Sequence, residues 1–177
     1  SFLHDALPIL FNFKFPRFSY RYKYTDGEYS PFAPFSEVAF LTDSFQFVAN
    51  RGHNLGMVNQ LRGLLIKDYH AEEDAFQQDI VEIDILYKET NNPTVYVVET
   101  IKPSMGSPIW PDFTNNASER GEFSITTDMI HAVVPSNQLI RPYDNVPRRA
   151  LAQEISANRL IYGNYLQNYD IGISPKV

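Results

Sequence analysis

The strongest hairpin signal in this chain is the stretch VEIDILYKETNNPTVYVVETI, residues 81–101. In its first half apolar side chains alternate with charged ones; the two sets are Val81, Ile83, Ile85 and Tyr87, and Glu82, Asp84 and Lys88. A period of two predicts a half-buried β-strand. Turn-forming residues follow at 89–93, and the β-branched residues of 94–101 predict the returning strand of a hairpin.

A second alternating strand is predicted near the start of the chain. Its rings would share one face of the strand, and they are Phe18, Tyr20, Tyr22 and Tyr24. Core packing is the favoured use of these rings, and stacking on sugars or bases is the alternative. Asp26-Gly27 supplies turn residues. The return stretch at 28–40 contains Pro31 and Pro34, which lack the N–H of a ladder, so it is predicted to be an edge or bulged strand.

The rest of the chain reads as short strands between loops. Strand-like segments occur at 63–68, 123–127, 131–134 and 159–165, the last predicted to end in a turn at Gly163-Asn164. Residues 57–69 also fit helical spacing, and the strand at 63–68 is the favoured interpretation. Residues 150–155 fit either a helical turn or a strand. Residues 43–56 and 103–121 are predicted loops. The predicted fold class is mainly β, built from antiparallel β-sandwich units.

Composition excludes several classes of function. The chain has 177 residues, 11 Tyr, 13 Phe, no Cys and a net charge of −6. The absence of cysteine excludes a disulfide scaffold, cysteine-based zinc sites and thiol catalysis. Without a basic tract, specific nucleic-acid binding is not expected. No apolar run has the length of about 18 residues that a membrane-spanning helix needs, so no membrane association is expected.

Residues that could carry chemistry are scattered. His53, His70 and His131 are isolated, and ordinary surface or core histidines are the favoured interpretation. His70 with the acidic run Glu72, Glu73 and Asp74 could hold a hard cation, although a solvated charge run is favoured.

Glu82 and Asp84 share a strand face and could mimic the carboxylate pair of a glycosidase. The nearby Lys88 favours an exposed, salt-bridged face instead. Residues 116–118 fit a glycosylation sequon, a signal that is common by chance. No catalytic residue, cofactor-binding residue or metal ligand is predicted, and no cofactor.

Two family resemblances shape the expected function. YRYKYTDGEYS at 20–30, with PFSEV at 34–38, resembles the last two strands of a fibronectin type III module. The resemblance implies β-sandwich units of the fibronectin type III or immunoglobulin kind, with residues 10–48 ending a first unit and residues 49–135 forming a second. Residues 136–177 would be a linker and the start of a further, truncated β domain.

The broader resemblance is to virion structural proteins of podovirus-like and crAss-like phages, of the tail nozzle, muzzle or stabilisation type. It rests on PRFSYRYKY at 16–24, VEIDILYKE at 81–89, PSNQLIRPYDNVP at 135–147 and NRLIYGNY at 158–165. The resemblance implies a virion protein without enzymatic activity, assembled in the cytoplasm of a bacterial host. Its implied partners are portal, connector and tail proteins and further copies of itself in a ring.

The start of the chain does not resemble a domain. LHDALPI at 3–9 resembles the translation of a sequencing adapter, so residues 1–9 are expected to be an artefact and the chain a fragment of a larger multidomain protein. The alternative function is a surface adhesion protein that binds glycans. Trp110 and Phe113 in the 103–121 loop would then be exposed as a binding platform.

Overall fold

The chain is mainly β, with antiparallel sheets, as predicted. A computed structural model describes residues 9–12, 14–54, 56–71, 79–127, 132–139, 149–166 and 175–176. The strands are β1 Pro16–Tyr24, β2 Phe47–Val48, β3 His53–Asn54, β4 Leu64–Lys67, β5 Ile80–Glu89, β6 Tyr96–Ile101, β7 Glu122–Ile125, β8 Ala132–Val133, β9 Arg149–Ser156 and β10 Arg159–Leu166. A 3₁₀ turn at Pro103–Met105 and the short helix α1 at Ser136–Leu139 complete the described elements.

The main sheet has four strands in the order β1-β5-β6-β8. The predicted hairpin at 81–101 is confirmed as β5 and β6, which pair antiparallel with a register shift between Ile85 and Leu86. β1 pairs antiparallel with the other edge of β5. This pairing joins strands from both sides of the domain boundary predicted at residues 48 and 49. The long hairpin strand β5 therefore lies at the centre of the sheet.

The larger of two buried clusters covers one face of this sheet, and a smaller one with Leu86, Val95 and Val134 lies on the other face. The aromatic stripe of β1 is buried in the larger cluster as predicted, and its exposed fractions are 0% for Phe18, 2% for Tyr20, 7% for Tyr22 and 2% for Tyr24. Side chains of the two-stranded sheet β4–β7 belong to the same buried cluster, among them Leu64, Ile66 and Ile125. The rings of β1 therefore pack inside the protein and are not available to stack on sugars or bases.

The return stretch after the Asp26-Gly27 turn follows β1 in an unusual way. Every third residue is buried and donates its backbone N–H to β1, namely Ser30 to Tyr22, Ala33 to Tyr20, Ser36 to Phe18 and Ala39 to Pro16. The sequence repeats accordingly as SPF, APF and SEV. A period of three is that of a polyproline II helix, whereas a β-strand has a period of two. Pro31 and Pro34 also lack the N–H that a regular ladder needs.

Two serine hydroxyls complete this contact. Phe18 N donates to Ser36 Oγ (3.1 Å) and Tyr22 N donates to Ser30 Oγ (2.9 Å). The Ser19 hydroxyl of β1 donates in the other direction, to the carbonyl of Ala33 (2.7 Å). The hydroxyl oxygens of Ser30 and Ser36 thus accept from backbone N–H groups of β1, as the carbonyls of a regular partner strand would. The predicted edge or bulged strand at 28–40 is therefore wrong, because this segment has only an isolated bridge at Tyr29 and otherwise no strand pairing. The proline-rich segment still covers the edge of β1 and blocks it from pairing with other chains.

β9 and β10 form a separate antiparallel hairpin. The strand alternative for residues 150–155 is therefore the correct one. The turn predicted at Gly163-Asn164 is wrong, because both residues lie within β10. The turn is at Ala157 and Asn158, whose φ angles of 46° and 60° are those of a two-residue hairpin turn.

The other short segments agree with prediction in part. β4 and β7 confirm the strands expected at 63–68 and 123–127, and β8 confirms part of 131–134. The loop expected at 43–56 contains the two-residue strands β2 and β3. Residues 103–121 form the long loop that was predicted, apart from the 3₁₀ turn. Residues 1–8 of the expected adapter artefact lie outside the described residues.

Candidate functional site

Glu82 and Asp84 share one face of β5, as predicted, and this face lies opposite the larger buried cluster. Each carboxylate forms an ion pair with a basic side chain of β1. The register of β1 and β5 places Lys23 opposite Glu82 and Arg21 opposite Asp84. The ion pairs measure 2.9 Å from Lys23 Nζ to Glu82 Oε2 and 2.9 Å from Arg21 Nε to Asp84 Oδ2. The predicted salt bridging is therefore confirmed, with partners from β1.

The surroundings of Asp84 differ from the predicted exposed face, because Asp84 is 5% exposed and Arg21 is 4% exposed. The Thr100 hydroxyl donates to Asp84 Oδ1 (2.7 Å), and Arg21 Nη1 donates to Gln138 Oε1 in α1 (3.0 Å). The guanidinium carbon lies 3.9 Å from the Tyr29 ring centroid. These contacts satisfy both charges inside the protein, which is the condition for burying an ion pair.

Glu82 lacks the character of a general acid. Its hydrogen bond from Lys23 holds the pKa of the Glu82 carboxyl below its ordinary value. A glycosidase acid needs the opposite shift. Lys102 adds a second cation at 3.5 Å. Lys88, expected to pair with these acids, instead lies 4.3 Å from the centroid of the Phe35 ring. Glu82 and Asp84 therefore join β5 to β1 through ion pairs, and the lowered pKa of Glu82 does not suit a general acid.

The two described histidines, His53 and His70, have different surroundings. His53 is exposed in β3, whereas His70 is buried at 2% exposure. His131 and the acidic run Glu72–Asp74 lie outside the described residues. Among the residues that the structure describes, no group of three or more His, Asp or Glu side chains could hold a metal ion.

His70 packs among aromatic rings of the 103–121 loop. Its ring centroid lies 5.3 Å from that of Trp110 and 5.2 Å from that of Phe113. Burial lowers the pKa of His70 to about 4, because the charged form would lose its hydration. Trp110 and Phe113 are half-buried and contact His70. The glycan-binding alternative expected them to be exposed as a platform.

The clefts of the described surface include an apolar groove and a polar cleft. A groove of about 610 Å³ is lined mainly by apolar residues of 38–41 and by Leu61 and Leu64. A cleft of about 340 Å³ beside the 103–121 loop has a polar lining that includes Asp68, Glu119 and Glu122. Asn116 of the sequon also lines this cleft and is exposed, with its side-chain oxygen accepting from Ser118 N (3.1 Å). The hydrogen-bonding groups of the second cleft suit a polar ligand better than an apolar one.

The most exposed apolar surface belongs to the β9–β10 hairpin. All eight residues of β9 are exposed, with Leu151 at 82% and Ile155 at 78%. Leu160 pairs directly with Ile155 and is 51% exposed. Arg149 Nη2 reaches Asp79 Oδ2 at 2.9 Å and connects the base of the hairpin to the segment before β5. Sequence reasoning identified the second strand but had no means of finding that the hairpin stands apart from the core.

A second apolar surface lies at β2. Phe45 and Phe47 are 79% and 54% exposed, and their rings stack at 6.3 Å between centroids with an interplanar angle of 13°. The sequence contained the signal, two rings two residues apart in a predicted loop, but exposure depends on the fold around it.

No described helix is long and apolar enough to cross a bilayer. Comparisons of the chain with protein-family models, with curated proteins and with solved structures give no match. The functional assignment therefore depends on the chain's own residues and on the resemblances that they carry.

Proposed function

We propose that this chain is a structural component of a bacteriophage virion without enzymatic activity, placed in the tail nozzle or connector through which DNA leaves the particle. The observation that carries the structural part of this proposal is the β9–β10 hairpin, with apolar residues such as Leu151 and Ile155 left in solvent. A two-stranded hairpin is at best marginally stable alone in water. It gains stability when a neighbouring subunit covers it.

The surroundings of the ionisable side chains also support a structural function. The ionisable pair that most resembled a catalytic site, Glu82 and Asp84, is neutralised by cations and contributes to the sheet. The phage part of the proposal rests on the resemblance of residues 16–24, 81–89, 135–147 and 158–165. A net charge of −6 suits a wall along which DNA must slide, since like charges repel.

Mass spectrometry of purified particles tests the virion role. Virus-sized, nuclease-resistant particles would be isolated by density centrifugation from the sample that contains this sequence. The tryptic peptide at 68–88 is expected to be enriched in the particle fraction together with capsid peptides. A soluble bacterial housekeeping protein serves as the control for carry-over. Recovery of the peptide only in the soluble fraction would overturn the proposal.

Immunogold labelling of the same particles tests the nozzle position. An antibody raised against the whole chain is expected to label the tail end that lies opposite the capsid. Labelling over the capsid surface would retain a virion role and reject the nozzle. Labelling of the bacterial surface, with unlabelled particles, would favour the adhesion protein instead.

The polar cleft of about 340 Å³ is the observation that favours the second candidate, a glycan-binding adhesion protein. Carboxylates such as Glu119 and Glu122 in a cleft can bond sugar hydroxyls. A glycan array probed with the whole chain tests this candidate. Binding that is lost in a Glu122→Gln variant would support it, and an array without any bound glycan would reject it.

A further inference from the structure

We infer that the apolar groove beside β4 holds a further β-strand, which is formed by the polypeptide that follows Lys176 and runs antiparallel to β4. Three observations carry this inference: a backbone bridge between Lys176 and β4, the open backbone groups of Leu65, and the position of the groove. The inference goes beyond the proposed virion role, because it names the surface and the segment that complete the β4–β7 sheet.

Lys176 already pairs with the edge of β4. In an antiparallel bridge, Lys67 N donates to Lys176 O (3.0 Å) and Lys176 N donates to Lys67 O (3.1 Å). Two lysines directly opposite each other repel, but each has an acidic partner. Lys67 Nζ lies 2.6 Å from Glu122 Oε1, and Lys176 Nζ lies 2.6 Å from Asp68 Oδ2. Backbone bonds and ion pairs therefore hold Lys176 at this edge.

The same edge of β4 is open next to this bridge. Along a strand with a neighbour on each side, successive residues bond alternately to one neighbour and to the other. Lys67 bonds to Lys176, and the next residue, Asp68, donates in the other direction, to Gly121 O beside β7 (3.2 Å). Leu65, two residues before Lys67, therefore directs its N–H and C=O to the Lys176 side. Leu65 is 40% exposed, and the described residues offer these two groups no partner on that side.

The direction of the bridge leads the chain along the groove. Because the pairing is antiparallel, the residues after Lys176 pass Leu65 first and Leu64 next. Leu64 is buried and Leu65 faces solvent, so a side chain opposite Leu64 enters the groove and a side chain opposite Leu65 does not. The groove measures about 610 Å³, and its lining includes residues 36–41, Leu61, Leu64, Pro175 and Lys176.

An apolar groove beside an unpaired strand edge is the setting in which β-strand addition occurs. Backbone hydrogen bonds then supply affinity, and pockets for alternate side chains supply selectivity. A strand joined to Lys176 is favoured over a strand from another molecule, because the bridge already holds it at the edge and its pairing is intramolecular. The expected strand has apolar residues at every second position, on the side of Leu64.

Short extensions of the whole chain test this inference. One variant adds Thr-Val-Thr-Val after Val177, and the matched control adds the same residues in the order Val-Thr-Val-Thr. In the register that Lys176 sets, the first order places valines on the groove side and the second places threonines there. Amide hydrogen exchange resolved by residue reports on Leu65 N–H, urea denaturation reports on stability, and circular dichroism checks that each variant folds.

The unextended chain should exchange the Leu65 amide quickly and the Ile66 amide slowly, since Ile66 bonds to β7. The Thr-Val-Thr-Val extension should slow exchange at Leu65 at least about tenfold and raise the urea midpoint. The reversed order should change Leu65 exchange by about threefold or less.

Two substitutions in the extended chain separate backbone pairing from side-chain packing. Leu65→Pro removes the N–H that faces the added strand and leaves the bonds between β4 and β7 in place, so it should abolish the gain in stability. Leu65→Thr keeps that N–H and the preference for a strand, so it should retain the gain.

Equal exchange at Leu65 in the unextended chain and in both extended chains would overturn the inference. Equal protection by the two extensions would overturn it as well, because the added strand would then pair without using the groove. Neither result depends on recovering peptide 68–88 from particles, so the virion role and this inference can fail separately.

Discussion

At the residue scale, the buried pair of Arg21 and Asp84 should control stability more than any surface ion pair. Asp84→Ala leaves the Arg21 guanidinium buried without its counter-charge, and we expect a loss of about 3–5 kcal/mol in the free energy of unfolding. Urea denaturation measures this loss. Glu82→Ala, which breaks the more exposed pair, should lower stability by about 1 kcal/mol or less.

The double variant Arg21→Met/Asp84→Leu completes this test. It removes both charges together and should recover much of the stability lost in Asp84→Ala, because apolar residues of similar size can replace a buried pair. If Asp84→Ala proved as mild as Glu82→Ala, the pair would not be buried in the folded protein.

His70 should make the protein sensitive to mild acid. Its pKa of about 4 in the folded chain lies below the ordinary value of 6.5, so between these values only the unfolded chain binds the proton. The free energy of unfolding is therefore undiminished above pH 6.5 and falls as the pH drops towards 4. The loss attributable to His70 is on the order of 3 kcal/mol.

Comparison with His70→Phe isolates the contribution of His70 to this pH dependence. Phenylalanine fits a site that is already formed by Trp110 and Phe113, and it does not titrate. Urea denaturation at pH 7 and pH 4.5 should show a smaller decrease for the variant than for the unaltered chain. Equal decreases would mean that other groups account for the acid sensitivity.

At the scale of the element, the three-residue repeat along β1 depends on its small buried positions. Ser36 accepts from Phe18 N and donates to Glu37 O (2.7 Å), and it is 3% exposed. Ser36→Val leaves Phe18 N without that acceptor and adds volume against β1. We expect a loss of about 1–3 kcal/mol in the free energy of unfolding.

Glu37→Ala is the matched control for Ser36→Val, because the neighbouring Glu37 is exposed. Its effect should stay within about 0.5 kcal/mol. Thermal or urea unfolding of both variants measures the difference. Similar effects at the two positions would contradict the three-residue register of this segment.

At the scale of the whole molecule, stability should be unevenly distributed. β5 lies between β1 and β6 in the main sheet, whereas β9 and β10 pair only with each other among the described strands. Amide hydrogen exchange of the dilute chain should therefore be slowest in β5 and fast throughout the hairpin. Slow exchange in β9 at low concentration would show that the hairpin is already covered within one chain.

Part of the candidate site could be predicted from the sequence. The alternation of residues 81–88 placed Glu82 and Asp84 on one face, which the structure confirms. The sequence did not identify their partners, because Arg21 and Lys23 come from a strand about 60 residues earlier, and pairing across such a distance leaves no local pattern. The sequence did not reveal the exposure of Leu151 and Ile155 either, because an apolar residue in a strand pattern predicts burial.

Local sequence patterns were enough to predict the mainly β class, the hairpin at 81–101, the ring-bearing face of β1 and the long loop at 103–121. These features follow from side-chain periodicity and turn chemistry, which act over a few residues. The folded structure was needed to show that β1 pairs with β5, that Asp84 is buried beside Arg21 and that the β9–β10 hairpin stays in solvent. Those outcomes depend on which distant segments pack together, and local preferences do not specify that choice.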